Sequence, residues 1–158
     1  MKNIIVVGVD NSETAFEAAR KAAQLAVGLE CELHVLTAFV PDESGIPSIR
    51  SSGSRAEVEA AVEQRYTAIA GYAREAKEIA ASVGEKLHEL FPELVIEPKG
   101  VRGGPAAALV SEARRIDARV VVVGNKRVQR PSRVLGSIAS AVARSVSCDL
   151  YVANTHTN

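Results

Sequence analysis

The chain has 158 residues, of which 47% are hydrophobic and 24% charged, values typical of one globular domain with a full-sized core. Lysine plus arginine and aspartate plus glutamate both number 19, so the formal charge is zero. This balance argues against a general nucleic-acid binder, which needs a strong positive field. Aromatic residues make up 4% of the chain, with no tryptophan, so platforms for base stacking are not expected.

The first part of the chain predicts two strands separated by a helix, and then a long second helix. Apolar runs over 3–9 and 30–39 are typical of buried strands. Helical spacing of small apolar residues predicts a helix over 13–28, with a serine just before it as N-cap. A longer stripe of apolar residues predicts a helix over 56–90, in which Gly84 is a candidate point of bending or interruption.

The segment between the second strand and the long helix has a different composition. Residues 40–55 contain two prolines, two glycines and five serines without an apolar period, which predicts a long mobile loop. A loop of this length within a compact domain is either a functional lid or a disordered excursion, and the composition favours neither.

The second part of the chain continues the alternation of strands and helices. Strands are predicted over 94–99, 120–123 and 149–153, with helices over 106–116 and 137–147 between them. The resulting order predicts an α/β fold with a five-stranded, mostly parallel sheet and helices on both faces. In such sheets the ligand crevice lies beyond the carboxyl ends of the strands, where the strand order reverses. The residues just after each strand are therefore candidates for ligand contact: Asp10, 37–40, 101–104 and Gly124 onward.

The most informative stretch is VVVVGNKRVQRPSRVLGS, which runs from Val120 to Ser137. A buried strand ends at Gly124, a basic loop follows, and Gly136 begins a helix. Unpaired N–H groups and the helix dipole favour an anion at such a helix start. Residues 118–148 contain six lysines or arginines and no acidic residue. The stretch therefore predicts a phosphate site, and the alternative is a solvated connecting loop.

Single residues give weaker signals. Asp10, after the first strand, is either a ligand contact or an acid that fixes the entry into the helix. Cys31 and Cys148 are interpreted as small buried residues in the reduced state. No histidines stand at metal-ligand spacing, and His34 and His88 are interpreted as structural. No catalytic sequence motif for a nucleophile elbow, a zinc protease or a Walker-type phosphate loop is present.

No targeting signal is predicted from the sequence. The chain enters a strand directly, without a signal-peptide pattern, and no apolar run approaches the roughly 18 residues of a membrane span. We therefore expect a cytoplasmic protein that does not bind membranes.

Four stretches together make the chain resemble the universal stress protein family over nearly its whole length. They are IIVVGVDNSETA, LHVLTA, GVRGGPA and VVVGNKRVQRPSRVLGSIASAVARSVSCDLYVAN. We interpret 1–154 as one domain of this kind and 155–158 as a polar tail. Nucleotide-binding members carry glycine, two residues, glycine, nine residues, and then glycine followed by serine or threonine. Here Arg127 replaces the second glycine, and eight residues separate it from Gly136, one fewer than in that pattern.

The resemblance implies a Rossmann-type sheet of the flavodoxin-like or adenine nucleotide α-hydrolase-like kind. It also implies ATP or AMP as the bound nucleotide, with magnesium as the companion of ATP, and a homodimer formed through the final strand, 149–153. It assigns the adenine pocket to Val9 and Val35 and the ribose or adenine region to Asp10. The residues that it assigns to the phosphates are Gly124, Asn125, Lys126, Arg127, Gly136, Ser137 and Ile138.

The substitution at Arg127 leaves the function open. An arginine costs about 1–2 kcal/mol where left-handed backbone geometry is required, but its guanidinium can hold a phosphate through two hydrogen bonds. The first hypothesis is an adenine-nucleotide-binding regulatory protein of the stress response, which acts through binding rather than turnover. The alternative is a dimeric interaction protein whose degenerate phosphate loop binds no nucleotide. A third, an enzyme, is expected to show at most slow and incidental nucleotide hydrolysis.

Overall fold

A computed structural model describes residues 3–50, 52–125 and 135–155. The described residues form five strands and four helices in strict alternation. The strands are β1 (Ile4–Gly8), β2 (Glu32–Phe39), β3 (Ile96–Arg102), β4 (Val120–Asn125) and β5 (Asp149–Asn154). The helices are α1 (Glu13–Gly28), α2 (Arg55–Leu90), α3 (Pro105–Arg115) and α4 (Ser137–Ser145). The predicted α/β class is confirmed.

The five strands form one sheet with the order β3-β2-β1-β4-β5, and every pairing is parallel. Val7 of β1 lies between Val35 of β2 and Val122 of β4. From β1 the chain builds outward in one direction to β2 and β3, and then returns to place β4 on the other side. The strand order therefore reverses between β1 and β4, where the crossovers leave a crevice at the carboxyl ends.

Two hydrophobic layers cover the two faces of the sheet. One layer contains the alanines of α1 and the carboxyl-terminal half of α2, which pack on Val7 and Val35. The other contains apolar residues of α3 and α4, including Leu109 and Val142, against Val6 and Val121. Because the central strands are buried on both faces, they read as continuous apolar runs in the sequence. The expectation of helices on both faces is confirmed.

Helix α2 is a single helix of 36 residues, so it is not interrupted at Gly84, which was one of the two alternatives that the sequence left open there. Ser54 and Glu57 form a capping box that fixes its start. Gly84 is buried, and a Cβ atom there would lie 3.4 Å from Ile96 Cγ2. This glycine thus allows the helix to approach β3 closely. All the buried residues of α2 lie in its second half, from Ala76 onward.

The connection between β2 and α2 contains no helix or strand among its described residues, as predicted. It is attached to the domain through Glu43, whose carboxylate accepts hydrogen bonds from Arg65 at 2.6 Å and from Arg102 at 2.7 Å. The Arg65 hydrogen bond is the main reason that the pKa of Glu43 lies below its usual value. The mobility of this loop stays a prediction. None of the described helices is both long and apolar enough to cross a membrane.

Candidate functional site

A cavity of about 420 Å³ lies at the carboxyl edge of the sheet, where the strand order reverses between β1 and β4. It is the location that the sequence predicts for a ligand crevice. Residues from the ends of three neighbouring strands and the starts of three helices surround it. Those from the strand ends and the β1–α1 turn are Gly8, Val9, Asp10, Leu36, Thr37, Ala38, Val123 and Gly124.

The wall on the β4 side joins the end of that strand to the start of α4. The Gly136 N–H group donates a hydrogen bond of 3.1 Å to Asn125 Oδ1. Gly136 is the N-cap of α4, and no side-chain hydrogen bond caps this helix start among the described residues. Ser137, Ile138 and Ala139, the first three residues of the helix, line the cavity. The positive end of the α4 dipole is therefore available to an anion in the cavity.

The wall on the β1 side is organised by Asp10 and Ser12. The Ser12 N–H group donates to Asp10 Oδ1 at 2.8 Å, and Ser12 Oγ accepts from the Ala15 N–H group at 3.2 Å. Asp10 thus fixes the entry into α1, which is one of the two roles that the sequence allows. Asp10 is also exposed and lines the cavity, so the same carboxylate lies within reach of a bound ligand.

The structure brings most of the predicted nucleotide-binding residues together. The predicted residues that line the cavity are Val9, Asp10, Gly124, Gly136, Ser137 and Ile138. Asn125 uses its side chain to hold the start of α4. Lys126 and Arg127 lie outside the described residues, as does most of the basic loop.

Val35 is the predicted site residue that the structure places elsewhere. Its side chain is fully buried in the core layer below α1 and α2, and it does not line the cavity. Because side chains on one face of a strand recur every second residue, Thr37 is the next residue of β2 on that face. Thr37 does line the cavity. On this strand the residue assigned by the family resemblance thus lies two residues before the cavity lining, whereas the strand-end rule identifies Thr37.

Two threonines lie in the cavity wall: Thr37, which was predicted among the residues that follow the second strand, and Thr155, which was missed from the sequence. Thr37 is buried, and its Oγ1 atom has no hydrogen-bond partner among the described residues. Thr155 follows β5 directly, is also buried, and its hydroxyl donates to the Asn125 carbonyl oxygen at 3.1 Å. The rule that ligand-site residues follow the carboxyl ends of parallel strands would have identified Thr155, had we applied it to the last strand.

Few charged side chains line the described part of the cavity. Among its described lining residues Asp10 is the single carboxylate, and none of them is a lysine, arginine or histidine. The arginines and the lysine at 126–133 lie outside the described part. No cluster of three or more histidine, cysteine, aspartate or glutamate residues suitable for a metal is found within the described ranges.

A second polar cluster lies between α3 and β3, apart from the cavity lining. Glu112 is buried and accepts hydrogen bonds from Arg115 at 2.6 and 2.8 Å and from Lys99 at 3.3 Å. The bond to Arg115 is the main cause that holds the pKa of Glu112 below its usual value. His34 is buried nearby on β2, and burial, followed by the charge of Lys99, lowers its pKa. We interpret this cluster as structural.

Comparisons with known proteins place the chain among relatives of one kind. The model of the universal stress protein family matches residues 1–154. Universal stress protein Rv1636 of Mycobacterium tuberculosis is 28% identical over 155 residues, which cover 96% of this chain and 95% of that protein. Universal stress protein Rv2028c of the same organism is 31% identical over 153 residues, which are 96% of this chain and 48% of that longer protein.

Solved structures agree with the sequence comparisons. The structure of a universal stress protein in complex with cAMP is 26% identical to this chain, with a TM-score of 0.59 and coverage of 98% of both chains. The sheet and its helices are thus those of this group of proteins.

Proposed function

The chain belongs to the universal stress protein family, and on that premise we propose that it binds an adenine nucleotide, ATP or AMP, in the cavity at the carboxyl ends of its strands. It acts in the stress response through nucleotide occupancy rather than turnover. The proposal includes a cytoplasmic location for the protein.

One observation carries the proposal. The hydrogen bond between Gly136 N–H and Asn125 Oδ1 holds the start of α4 at the end of β4. A helix start that no side chain of the described residues caps then opens on the cavity, at the point where the family pattern has its phosphate-binding glycine and serine. Had the end of β4 and the start of α4 been far apart, they would have formed no common phosphate site. The relative solved with cAMP supports a ligand with adenine and phosphate groups.

The two ends of the cavity differ in chemistry, and this difference suggests the orientation of the nucleotide. The α4 end offers the N–H groups of the first helical turn and the Ser137 hydroxyl, which suit a phosphate. The side formed by β2 and α3 is lined by Leu36, Ala38 and Leu109, an apolar surface that suits the faces of a purine ring. Asp10 lies between β1 and α1, where its carboxylate would accept hydrogen bonds from the ribose hydroxyls.

Magnesium, if present, would arrive with ATP. The described lining supplies a single carboxylate, Asp10, and Mg²⁺ in nucleotide sites is held largely by water and the substrate phosphates. The described residues of the cavity therefore suit a magnesium–ATP complex but do not form a magnesium site by themselves.

The dimer that the family resemblance implies would form through β5. This strand lies at the edge of the sheet, and an edge strand presents unpaired backbone groups that a second copy can extend. Tyr151, on β5, is 41% exposed, and a partner strand would cover it.

Titration calorimetry with AMP, ATP and ATP plus Mg²⁺ tests the proposal, together with mass spectrometry of small molecules released from freshly purified, denatured protein. We expect saturable binding and adenine nucleotide in near-stoichiometric yield. No binding at millimolar nucleotide together with an empty spectrum would refute nucleotide binding. That result would favour the nucleotide-free dimeric interaction protein, whose loop has lost its phosphate-binding glycine to Arg127.

A further inference from the structure

The chain that follows β5 forms part of the cavity. Thr155 lines it and is only 5% exposed, although it lies just beyond the residues that the family model matches. Its hydroxyl donates to the carbonyl oxygen of Asn125, 30 residues earlier, at 3.1 Å. A hydroxyl of a buried residue that donates its hydrogen bond to the backbone of the neighbouring strand holds that strand in place.

Asn125 transmits this contact to the helix. Its backbone carbonyl is held by Thr155 and its side-chain oxygen by the Gly136 N–H group. The three residues thus form a continuous hydrogen-bonded chain from the end of β5, through the end of β4, to the N-cap of α4. The last of the three residues, Gly136, is the N-cap of α4 and lines the cavity.

Packing and a second hydrogen bond fix the other side of Thr155. A Cβ atom at Gly124 would lie 3.2 Å from Thr155 Cγ2 and 3.2 Å from Ala18 Cβ, so the threonine methyl closes tightly over the glycine at the strand end. The Lys21 ammonium group on α1 donates to the carbonyl oxygen of Asn154. Thr155 is therefore held between α1 and β4.

We propose that Thr155 is a positioning residue for the phosphate end of the cavity. Its hydroxyl orients Asn125, and Asn125 in turn sets the position of the Gly136 amide at the start of α4. This inference rests on the proposed nucleotide binding and extends it to a residue outside the glycine-rich pattern. Because Thr155 acts through Asn125, it affects the binding of the phosphate and not of the nucleoside.

Two substitutions separate the hydroxyl from the shape of the side chain. Thr155→Val keeps the branched shape and removes the hydroxyl, whereas Thr155→Ser keeps the hydroxyl. Calorimetry with AMP and with adenosine, which lacks the phosphate, measures both ends of the cavity. For Thr155→Val we expect AMP binding to weaken by about tenfold, the effect of roughly one hydrogen bond. We expect adenosine binding to change by less than about twofold, and Thr155→Ser, which loses the methyl but keeps the hydroxyl, to recover most of the AMP affinity that Thr155→Val loses.

An equal loss for AMP and adenosine would overturn the inference, because it would indicate a general loss of structure. Unchanged AMP binding in Thr155→Val, or a Thr155→Ser variant as weak as Thr155→Val, would overturn it as well. If the unmodified protein binds neither compound, the proposed function fails on its own.

The positioning role is then decided by amide hydrogen exchange of Gly136 in the ligand-free protein, measured by NMR. We expect faster exchange in Thr155→Val than in Thr155→Ser. Equal rates would refute the positioning role.

Discussion

Gly136→Asp gives a sharp test because it should change stability and binding in opposite directions. Gly136 has φ −60° and ψ 164°, an extended conformation that any L-residue adopts. A Cβ atom at this position meets Asn125 Oδ1 at 3.8 Å, an ordinary contact. The fold therefore accepts the side chain, and any loss of binding has another cause than misfolding.

The stability of the ligand-free protein should rise slightly. Aspartate is a better N-cap than glycine by a few tenths of a kcal/mol, and its charge interacts favourably with the helix dipole. The combined gain of about 0.5–1 kcal/mol corresponds to a rise in Tm of about 1–3 °C for a domain of this size.

Binding of AMP should fall sharply in the same variant. Two unit charges 4 Å apart repel by about 1 kcal/mol in bulk water and by about 4 kcal/mol near a protein surface. A phosphate with nearly two charges doubles this energy, so the loss is at least about 2 kcal/mol, or roughly 30-fold in Kd.

Calorimetry and thermal unfolding of Gly136→Asp and Gly136→Asn measure the two effects. Asparagine caps the helix about as well but carries no charge, so the difference in AMP affinity between the variants isolates the electrostatic part. That difference should shrink at high salt, which screens the repulsion. If both variants bind AMP as tightly as the unmodified protein, the phosphate does not lie at the start of α4, and the reasoning is refuted.

Three further predictions concern stability, each measured by urea or thermal unfolding. Thr37→Val should be neutral or stabilise the ligand-free protein by up to about 1 kcal/mol, because it removes a buried hydroxyl that has no partner in the described part of the chain; a clear loss would show that Thr37 Oγ1 is hydrogen-bonded in solution. Gly100→Ala should cost about 1–3 kcal/mol, since its Cβ atom would lie 2.7 Å from the Ala73 carbonyl oxygen. Gly71→Ala, where nothing lies within 4 Å, should instead stabilise α2 by up to about 1 kcal/mol; equal effects at the two glycines would contradict the packing. Glu112→Gln should cost about 1–3 kcal/mol at neutral pH. Because the pKa of Glu112 is lowered from 4.5 in the fold, its contribution is complete above that value and is lost as the pH falls through the lower folded pKa. The difference between Glu112→Gln and the unmodified protein should therefore narrow in acid; a difference that is independent of pH would contradict a charged Glu112.

The sequence predicted the local elements better than their ends. The apolar run at Val120 and the helical stripe of α1 are signals within one segment, so periodicity is enough to find them. The ends of strands depend on pairing with neighbours: β3 extends to Arg102 because it pairs with β2 up to Phe39, which no local pattern records. Val35 was assigned to the cavity by the family resemblance, whereas Thr37 follows from its place at the end of the second strand.

The candidate site, too, was predictable only where the signal lies within one segment of the chain. Asp10, Gly124 and Gly136 follow from the alternation of strands and helices and from the family pattern. The hydrogen bonds of Asn125 to Gly136 and Thr155 connect residues 11 and 30 positions apart, and only the folded sheet brings them together. The order of the strands likewise depends on crossovers between distant segments, so the location of the crevice could be predicted without the residues that face each other across it.

The hydrogen bond from Gly136 to Asn125 has a consequence for the ten residues between them. Since this hydrogen bond joins the two ends of the segment, the length of the segment has little effect on the walls of the cavity. The entropy cost of closing a loop rises only with the logarithm of its length, so one residue in eleven changes that cost by about 0.1 kcal/mol. Segments of different length and charge can therefore connect Asn125 to Gly136 without a change in the sheet and its helices. This segment is thus a suitable place to alter ligand preference.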